Sequence, residues 1–501
     1  MCGSKAILLG ITCVIRNAVA MTALQVAEGL QASLSSGSSI FLSSNVQYSE
    51  QITPRWDVYE PPTYQVAVKP ALIEDVKAIV SIHIQYASTN KLPFLATGGG
   101  HGYTTTLGSL QNGLVLDMGN FKTMELNSTT NMLTIGGSIK SSDVTPMIQA
   151  AGKEFPVGQC TCVGLTGFTL GGGIGPYSSL YGPASDSVYE IEMVSGAGEI
   201  LTVSKDQNPD LFWGMRGAGF NYGVVTSITY NVYDATNGGN AINADMTFTG
   251  AQNGTIWKIM ESFVGKQPDQ LSISAEINFS ATSGIIILVN LLYAGPQEEL
   301  DPLMQPFLDL QPSNLNISSI TWHDIPSSFL YGASVQGCSV TGIEYIPYSV
   351  NLYQIDIDNL INAVNFMNTS MTLAPELQTA TIALDMYAQG GFQRNTYTSS
   401  AFPYRDVVIF AQIDCFALDA SATPALAQWG KEMRDILHQG SGKANLEVYV
   451  HFAHGDEGNA AWYTEHKLKQ LKELKNKYDP NSLFSFYNPV LNTSSSSSIV
   501  G

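Results

Sequence analysis

Positive charge, cysteine and histidine are all scarce in this chain of 501 residues. It carries 23 Lys and Arg against 42 Asp and Glu, for a formal charge of −19. Phosphate affinity comes from basic side chains, so this balance argues against nucleic acid or an anionic membrane surface as a partner. Charged residues make up only 13% of the chain and hydrophobic residues 44%, which is typical of a globular protein. The length favours two domains.

Several binding signatures are also missing. No G-x-x-x-x-G-K-S/T sequence occurs, and the glycine-rich ranges 171–175 and 217–223 lack the G-x-G-x-x-G spacing. A P-loop NTPase and an NAD dehydrogenase are therefore disfavoured. Cys160 and Cys162 lack the C-x-x-C spacing of a zinc site, and we predict no metal. No stretch after residue 20 is long and apolar enough to cross a bilayer.

The N-terminus resembles a secretory signal. Lys5 precedes an apolar run over 6–15, and Ala18-Val19-Ala20 resembles a cleavage site. Asn-x-Ser/Thr sequons follow at Asn127, Asn253, Asn278, Asn316, Asn368 and Asn492. We therefore predict a glycoprotein that is secreted or held in the secretory-pathway lumen, with residues 1–20 as signal peptide and a frayed tail over 491–501.

Beyond the signal segment the cysteines are Cys160, Cys162, Cys338 and Cys415. Four cysteines in a chain of this length do not make a disulfide scaffold. Their spacing leaves three possibilities open: buried thiols, one or two bridges, or a special role for Cys160.

Apolar periodicity changes along the chain. Up to about residue 236, short strands and helices alternate with glycine clusters, beginning with a strand at 66–68, a helix at 71–88 and a strand at 94–96. Beyond it, strands predicted at 272–280, 285–293, 381–388 and 407–416, with helices at 296–310 and 356–367, indicate an antiparallel sheet with covering helices. Near the end we predict a strand over 446–452 and a helix over 462–477 whose lysines form a solvated face.

One loop follows the strand at 94–96 and reads Thr97-Gly98-Gly99-Gly100-His101-Gly102-Tyr103. Consecutive glycines permit positive φ angles and close backbone approach, and successive amides in such a turn can hold an anion. His101 is the one side chain in this loop that could act as a ligand, act as a nucleophile or be bonded covalently to a cofactor. By itself the loop also fits a tight surface turn with an incidental histidine. Cys160 lies in a second glycine-rich segment, so a cofactor could be held at two points.

Six segments in order carry a family resemblance. They are Gly98-Gly99-Gly100-His101-Gly102-Tyr103, Phe155-Pro156-Val157-Gly158-Gln159-Cys160, Gly171-Gly172-Gly173-Ile174-Gly175, Arg216-Gly217-Ala218-Gly219, Phe402-Pro403-Tyr404-Arg405 and Lys477-Tyr478-Asp479-Pro480-Asn481-Ser482-Leu483-Phe484. Together they resemble the flavin oxidases of the vanillyl-alcohol oxidase/p-cresol methylhydroxylase superfamily, in particular the berberine-bridge-enzyme-like branch of fungal type.

The resemblance covers most of the chain and implies an α+β fold. A PCMH-type FAD-binding domain of two α/β subdomains would occupy 58–236. A substrate domain with an antiparallel sheet and helices would occupy 237–445, and a C-terminal segment over 446–490 would return to the FAD domain.

The resemblance also implies bicovalent FAD. His101 would bond the flavin 8α-methyl carbon and the Cys160 sulfur would bond C6. Cys162 is the rival thiol, but the Phe-Pro-x-Gly-x-Cys register selects Cys160. The other implied cofactor-binding residues are Gly98, Gly99, Gly100, Gly102, Tyr103, Gly167, Gly172, Gly173, Val225 and Asn488.

The catalytic base departs from the family pattern. Many relatives have Asn-Tyr where this chain has His451-Phe452, and phenylalanine cannot accept a proton. Some relatives carry a carboxylate shortly before the Phe-Pro-x-Arg motif, where this chain reads Gln393-Arg394-Asn395. The usual pair is therefore missing from these positions, and the candidate catalytic residues are His451, Tyr449 and Tyr387.

The resemblance implies hydride transfer from a small, partly apolar metabolite to flavin N5, then reoxidation by O2 to H2O2. We expect a monomer acting in natural-product biosynthesis, with a small-molecule substrate and O2 as its partners. One alternative is a sugar or oligosaccharide oxidase, against which the missing tyrosine counts. The other is a non-redox cyclase or ligand-binding flavoprotein, against which His101 and Cys160 count.

Overall fold

The computed structural model describes residues 23–45, 48–87 and 93–491. The predicted signal segment, the sequon at Asn492 and the tail beyond residue 491 lie outside the described residues. Among the helices within the described ranges, none combines the length and the apolar character needed to cross a bilayer.

The first sheet has four strands and is mainly parallel. Its strands are β1 (Ser39–Leu42), β2 (Tyr64–Lys69), β3 (Phe94–Thr97) and β4 (Gly113–Asp117), accompanied by helices α1 (Ala23–Gln31), α2 (Tyr48–Gln51) and α3 (Ile73–Ala87). The order is β1-β2-β4-β3, in which only β1 is antiparallel to its neighbour. Helix α3 joins β2 to β3 and buries Val76, Ile79 and Val80, which recur on one helix face. The predicted strand, helix and strand at 66–96 are confirmed.

The second sheet has five antiparallel strands in the order β5-β6-β10-β8-β9. They are β5 (Met124–Asn127), β6 (Met132–Gly136), β8 (Val188–Ser195), β9 (Ile200–Ser204) and β10 (Gly223–Asn231), and β7 (Lys153–Glu154) pairs separately with β11 (Tyr233–Asp234). The helices of this region are α4 (Ser141–Ala150), α5 (Leu165–Leu170), α6 (Ser178–Tyr181) and α7 (Pro209–Ala218). Helix α7 is kinked at Arg216 and Gly217, where Gly217 has a φ of 134°.

The third sheet has seven antiparallel strands. They are β12 (Asn240–Thr249), β13 (Leu271–Ser280), β14 (Gly284–Tyr293), β15 (Asn314–Thr321), β16 (Glu344–Leu352), β17 (Thr381–Tyr387) and β18 (Ile409–Ala417), in the order β15-β12-β14-β13-β17-β18-β16. The predicted strands correspond to β13, β14, β17 and β18. Strands β12, β15 and β16 have no predicted counterpart. Half of the residues of β15 are exposed and most are polar, and β16 contains Pro347, which is tolerated at a sheet edge.

The two faces of the third sheet differ, because side chains alternate along each strand. On β17, Ile382, Leu384 and Met386 are buried in a core that also contains side chains from the helices. The helices between β12 and residue 440 are α8 (Asn253–Ser262), α9 (Gln297–Leu308), α10 (Ile325–Ser328), α11 (Ala333–Cys338), α12 (Ile357–Leu373), α13 (Gln389–Gln393) and α14 (Thr423–Gln439). The alternate residues Thr381, Ala383, Asp385 and Tyr387 line a cavity instead.

The C-terminal segment differs from its prediction. Residues 446–452 are not a strand. The Asn351 amide of β16 donates to the Glu447 carbonyl, but the pairing does not continue, because the Val448 amide donates to the Ala461 carbonyl and the Tyr449 amide to the Asn351 side chain. The predicted helix over 462–477 is two helices, α15 (Asn459–Tyr463) and α16 (Glu465–Tyr478), separated at Thr464, which has a φ of 61°.

Two lysines of α16 are buried, so the predicted solvated lysine face is wrong for them. Lys467 Nζ donates to the Ser400 carbonyl at 2.6 Å, and burial lowers the pKa of Lys467 to about 7. Lys475 Nζ lies 2.7 Å from Asp479 Oδ2 and donates to the Phe484 carbonyl at 2.5 Å. Lys475 Nζ also donates to the Asn221 carbonyl at 2.9 Å, so both lysines join α16 to earlier parts of the chain, whereas Lys477 is exposed.

We predict that Lys475→Met destabilises the protein much more than Lys477→Met. The first change leaves the buried Asp479 carboxylate without its cation, which costs about 3–5 kcal/mol. The second removes an exposed ion pair with Asp210, which contributes no more than about 1 kcal/mol. Urea unfolding followed by circular dichroism measures both, and equal losses would contradict this account.

Candidate active site

A cavity of about 590 Å³ lies between the first two sheets and the polar face of the third. The loop after β3 and the segment around Cys160 form one wall. Alternate residues of β13, β17 and β18 form the other. The two regions singled out by the sequence, far apart along the chain, therefore face one cavity.

The loop after β3 packs against backbone too closely for side chains. A Cβ on Gly98 would lie 2.6 Å from the Gly137 carbonyl oxygen, and one on Gly99 would lie 2.6 Å from the Gly164 nitrogen. Gly100 has a φ of 72° and has the Pro54 carbonyl where its Cβ would be. Within the described part of the chain, the amides of Gly98 and Gly99 donate to no protein acceptor. They fit the anionic pyrophosphate of a dinucleotide such as FAD.

His101 lies in this loop with its ring stacked on Trp56, with 4.4 Å between ring centroids and 14° between the planes. Burial lowers the pKa of His101 to about 4, so the ring is neutral at physiological pH. Tyr103 and Gly102 also line the cavity. A neutral imidazole in this position can act as a nucleophile toward a bound cofactor.

Within the described ranges, the cysteines form one bridge and two free thiols. Cys162 is joined to Cys338, and Cys160 and Cys415 are free. Cys160 lines the cavity, and burial raises the pKa of its thiol to about 11. Cys415 lies in the core of the third sheet. Among the described residues, Cys160 is therefore the free thiol that lines the cavity.

The other predicted cofactor-binding residues fall into two groups. Gly167 and Val225 line the cavity, and a Cβ on Gly167 would point into open space. Gly172 and Gly173 instead pack against Phe402 and Phe168 at positive φ.

Asn488 is buried behind the loop. It accepts a hydrogen bond from Thr104 Oγ1 and donates one to the Val450 carbonyl. It supports the loop at a distance from the cavity wall.

His451, Tyr449 and Tyr387 all line the cavity. Nδ1 of His451 lies 3.0 Å from Tyr487 Oη, and Nε2 lies 3.0 Å from the Phe168 carbonyl. Both ring nitrogens are thus engaged by protein, and burial lowers the pKa of His451 to about 4. Tyr449 Oη accepts the Gly173 amide at 2.9 Å.

Three carboxylates on the third sheet also line the cavity, and none of them is among the site residues predicted from the sequence. They are Glu276 on β13, Asp385 on β17 and Asp414 on β18. The Ser274 hydroxyl donates to Asp385 Oδ1 at 2.5 Å, and Gln159 Nε2 lies 3.4 Å from the same atom. Burial raises the pKa of Asp385, and it raises that of Asp414 to about 7.

A carboxylate is therefore present before the Phe-Pro-x-Arg motif, but it is Asp385, upstream of Gln393-Arg394-Asn395. The sequence Gln393-Arg394-Asn395 follows a short helix, whereas Asp385 lies in β17. The sequence signal for Asp385 is that large apolar residues occupy every second position over 381–387. There the odd-numbered positions face the cavity and the even-numbered apolar positions face the core.

Comparisons with known proteins agree on one family. A family model described as "FAD binding domain" matches residues 64–204. The chain is 36% identical over 451 residues to FAD-linked oxidoreductase azaL of Aspergillus niger, covering 88% of this chain and 94% of that protein. It is 36% identical over 465 residues to FAD-linked oxidoreductase tazG of Aspergillus terreus, covering 91% and 93%. Physcomitrella patens BBE-like 1 has the same fold, with a TM-score of 0.80 at 21% identity over 93% of this chain and 99% of that one.

The matched domain and a cavity whose loop amides fit a pyrophosphate define an FAD-dependent oxidoreductase with an α+β fold. At this level of identity over most of both chains, the protein belongs to the family of FAD-linked oxidoreductases that includes these two fungal relatives.

Proposed function

We propose that the protein is an oxidase that takes a hydride from a small, partly apolar metabolite and passes the electrons to O2, giving H2O2. One observation carries the proposal. A single cavity is lined on one side by the cofactor loop with His101 and Cys160, and on the other by a sheet face that bears Asp385. A cofactor and a substrate can therefore meet within it.

The residues present fit FAD. The loop amides of Gly98 and Gly99 would hold the pyrophosphate, and Gly167 leaves room for the rest of the cofactor. His101 and Cys160 would each form one covalent bond to the flavin. FAD, when bound, supplies a ring that accepts a hydride and then reduces O2.

Asp385 is the base that the geometry favours. Gln159, the residue before Cys160, bridges Asp385 Oδ1 and Tyr387 Oη, at 3.4 and 3.3 Å respectively. This contact places the carboxylate beside the proposed tether, where a substrate must lie to react. The substrate loses two electrons and two protons, with one proton leaving in the hydride and the other going to Asp385. Burial raises the pKa of Asp385, which makes its carboxylate a stronger base for this step.

His451, Tyr449 and Tyr387 take supporting roles in this proposal. His451 holds the Phe168 carbonyl and Tyr487, and Tyr449 holds the Gly173 amide, so both orient the cofactor wall. Phe452 and Phe416 line the substrate side of the cavity, which supports a substrate with apolar surface.

Further support concerns the cellular setting. The Cys162–Cys338 bridge fits an oxidising compartment, in agreement with the signal-like segment at 1–20. The curated relatives described above are fungal FAD-linked oxidoreductases. We propose a secreted or lumenal enzyme of natural-product biosynthesis, acting as a monomer.

The covalent attachment has a direct test in acid-precipitated holoenzyme. Wild type should keep its yellow colour in the pellet, and Cys160→Ala should keep it through His101 alone. The double variant His101→Ala, Cys160→Ala should release all flavin to the supernatant. Cys415→Ala is the matched control, because that thiol is buried away from the cavity. Full release of flavin from wild type would overturn both bonds.

Asp385→Asn should slow anaerobic flavin reduction by substrate about 10²–10⁴-fold, the usual contribution of a general base. Flavin content should not change. The control is Glu154→Gln, which alters another buried carboxylate bonded by a tyrosine, Tyr181, outside the cavity. Stopped-flow absorbance measures the rates, and equal rates in both variants would remove Asp385 from the mechanism.

The overall activity is tested by screening oxygen consumption and anaerobic flavin bleaching across alcohols, sugars, amines and polycyclic metabolites. An oxidase should bleach with at least one class and should form H2O2 when air is admitted. Turnover without any bleaching would instead support a non-redox cyclase. Exclusive reaction with sugars would support an oligosaccharide oxidase.

A further inference from the structure

The polar face of the third sheet has a hollow centred on Ala383. Strand register places Glu276 directly opposite Ala383 on β13, and Gln412 directly opposite it on β18. Along β17 itself, Thr381 and Asp385 are the next residues on the same face. A methyl group surrounded by longer polar side chains leaves a depression in the cavity wall.

Three carboxylates surround this hollow. Side chains directly opposite one another across two strands lie about 5 Å apart at Cβ, so Glu276 adjoins Ala383. Asp385 is two positions along β17, or about 7 Å. Asp414 pairs with Thr381 and so lies diagonally across from Ala383, at about 7–8 Å.

Two of these carboxylates keep an oxygen available. Glu276 Oε1 accepts from Asn278 Nδ2 at 2.9 Å, and Asp414 Oδ1 accepts from the Tyr345 hydroxyl. Within the described ranges, Oε2 of Glu276 and Oδ2 of Asp414 have no hydrogen-bond partner. Both side chains are half-buried and line the cavity, so these oxygens are free to meet a ligand there.

Among the described residues, no Lys or Arg forms an ion pair with Glu276, Asp385 or Asp414. The basic side chains that line the cavity are Arg55, His101 and His451. Arg55 donates to the carbonyls of Gly102 and Asp57, on the wall that faces the cofactor. Burial keeps both histidines neutral. Burial raises the pKa of all three carboxyls and so disfavours their charged forms, and a ligand cation beside them would favour the charged forms again.

The cation is organic rather than metallic. No group of three His, Cys, Asp or Glu side chains in the described part of the chain is arranged to hold a metal ion. Carboxylates spaced around a methyl group suit a larger cation, whose N–H groups can donate to several oxygens at once.

We infer that the hollow around Ala383 binds a protonated amine of the substrate, held by Glu276 and Asp414. This inference rests on the proposed function, because it concerns the substrate side of the same cavity. It narrows the substrate class to metabolites with a basic nitrogen, whose apolar part contacts Phe416 and Phe452. The competing reading is a neutral, hydroxyl-rich ligand, which would donate hydrogen bonds but bring no charge.

A matched pair of probes separates these readings. Cyclohexylmethylamine is protonated at neutral pH, and cyclohexylmethanol has the same frame with a neutral hydroxyl. Binding of each to the oxidised holoenzyme is measured by calorimetry and by perturbation of the flavin absorbance. The same titrations are made on the double variant Glu276→Gln, Asp414→Asn and on Glu154→Gln as control.

In wild type and the control variant, the amine should bind at least about tenfold more tightly than the alcohol. In the double variant this preference should fall to near unity while flavin content stays unchanged. The inference is overturned if the alcohol binds as well as the amine, if the preference survives in the double variant, or if the amine fails to bind at millimolar concentration. If the flavin-loaded enzyme prefers the alcohol, only the inferred amine site is wrong, and the proposed oxidase function stands. If the protein binds no FAD, the oxidase function itself is wrong.

Discussion

The close approach of the loop after β3 to two other backbone segments is the constraint on which the site depends. Gly98 lies against the Gly137 carbonyl and Gly99 against the Gly164 amide, with no space for a Cβ on either. Because the contact is made by backbone alone, the loop amides remain free and His101 is held at a defined place on Trp56. Gly164 follows Cys160 by a few residues, so the same contact brings the two proposed tethers to one cavity.

The second requirement is that the third sheet stays over this cavity, and buried polar contacts provide it. Arg405 makes two hydrogen bonds to Asp186, at 2.7 and 2.9 Å, which join the Phe-Pro-x-Arg motif to the FAD-binding part. The Cys162–Cys338 bridge joins the end of α11 to the Cys160 segment, and the Trp56 indole donates to the Gly337 carbonyl nearby. The Phe-Pro-Tyr-Arg motif and the Cys162–Cys338 bridge therefore act as structural joints.

The substrate side of the cavity follows from the pleat of one sheet. Ile382, Leu384 and Met386 enter the core beneath the helices, and the residues between them face the cavity. A carboxylate in such a strand is either exposed or part of a site, because burial without a partner is unfavourable. Glu276, Asp385 and Asp414 are part of a site, because they lie opposite the cofactor loop. Asp385 acts in the proposed reaction, and Glu276 and Asp414 act in the inferred binding of a cation.

The sequence by itself determined the features that depend on local order. The apolar periods predict the strands and helix at 66–96 and the central strands of the third sheet, and the glycine-rich segments identify the loop and Cys160. It did not determine the partner of Cys162, which lies 176 residues away, or the burial of Lys467 and Lys475. It also misplaced a strand at 446–452 and passed over Asp385. Each of these depends on which distant segment packs alongside or on strand register, and these are set only when the whole chain is folded.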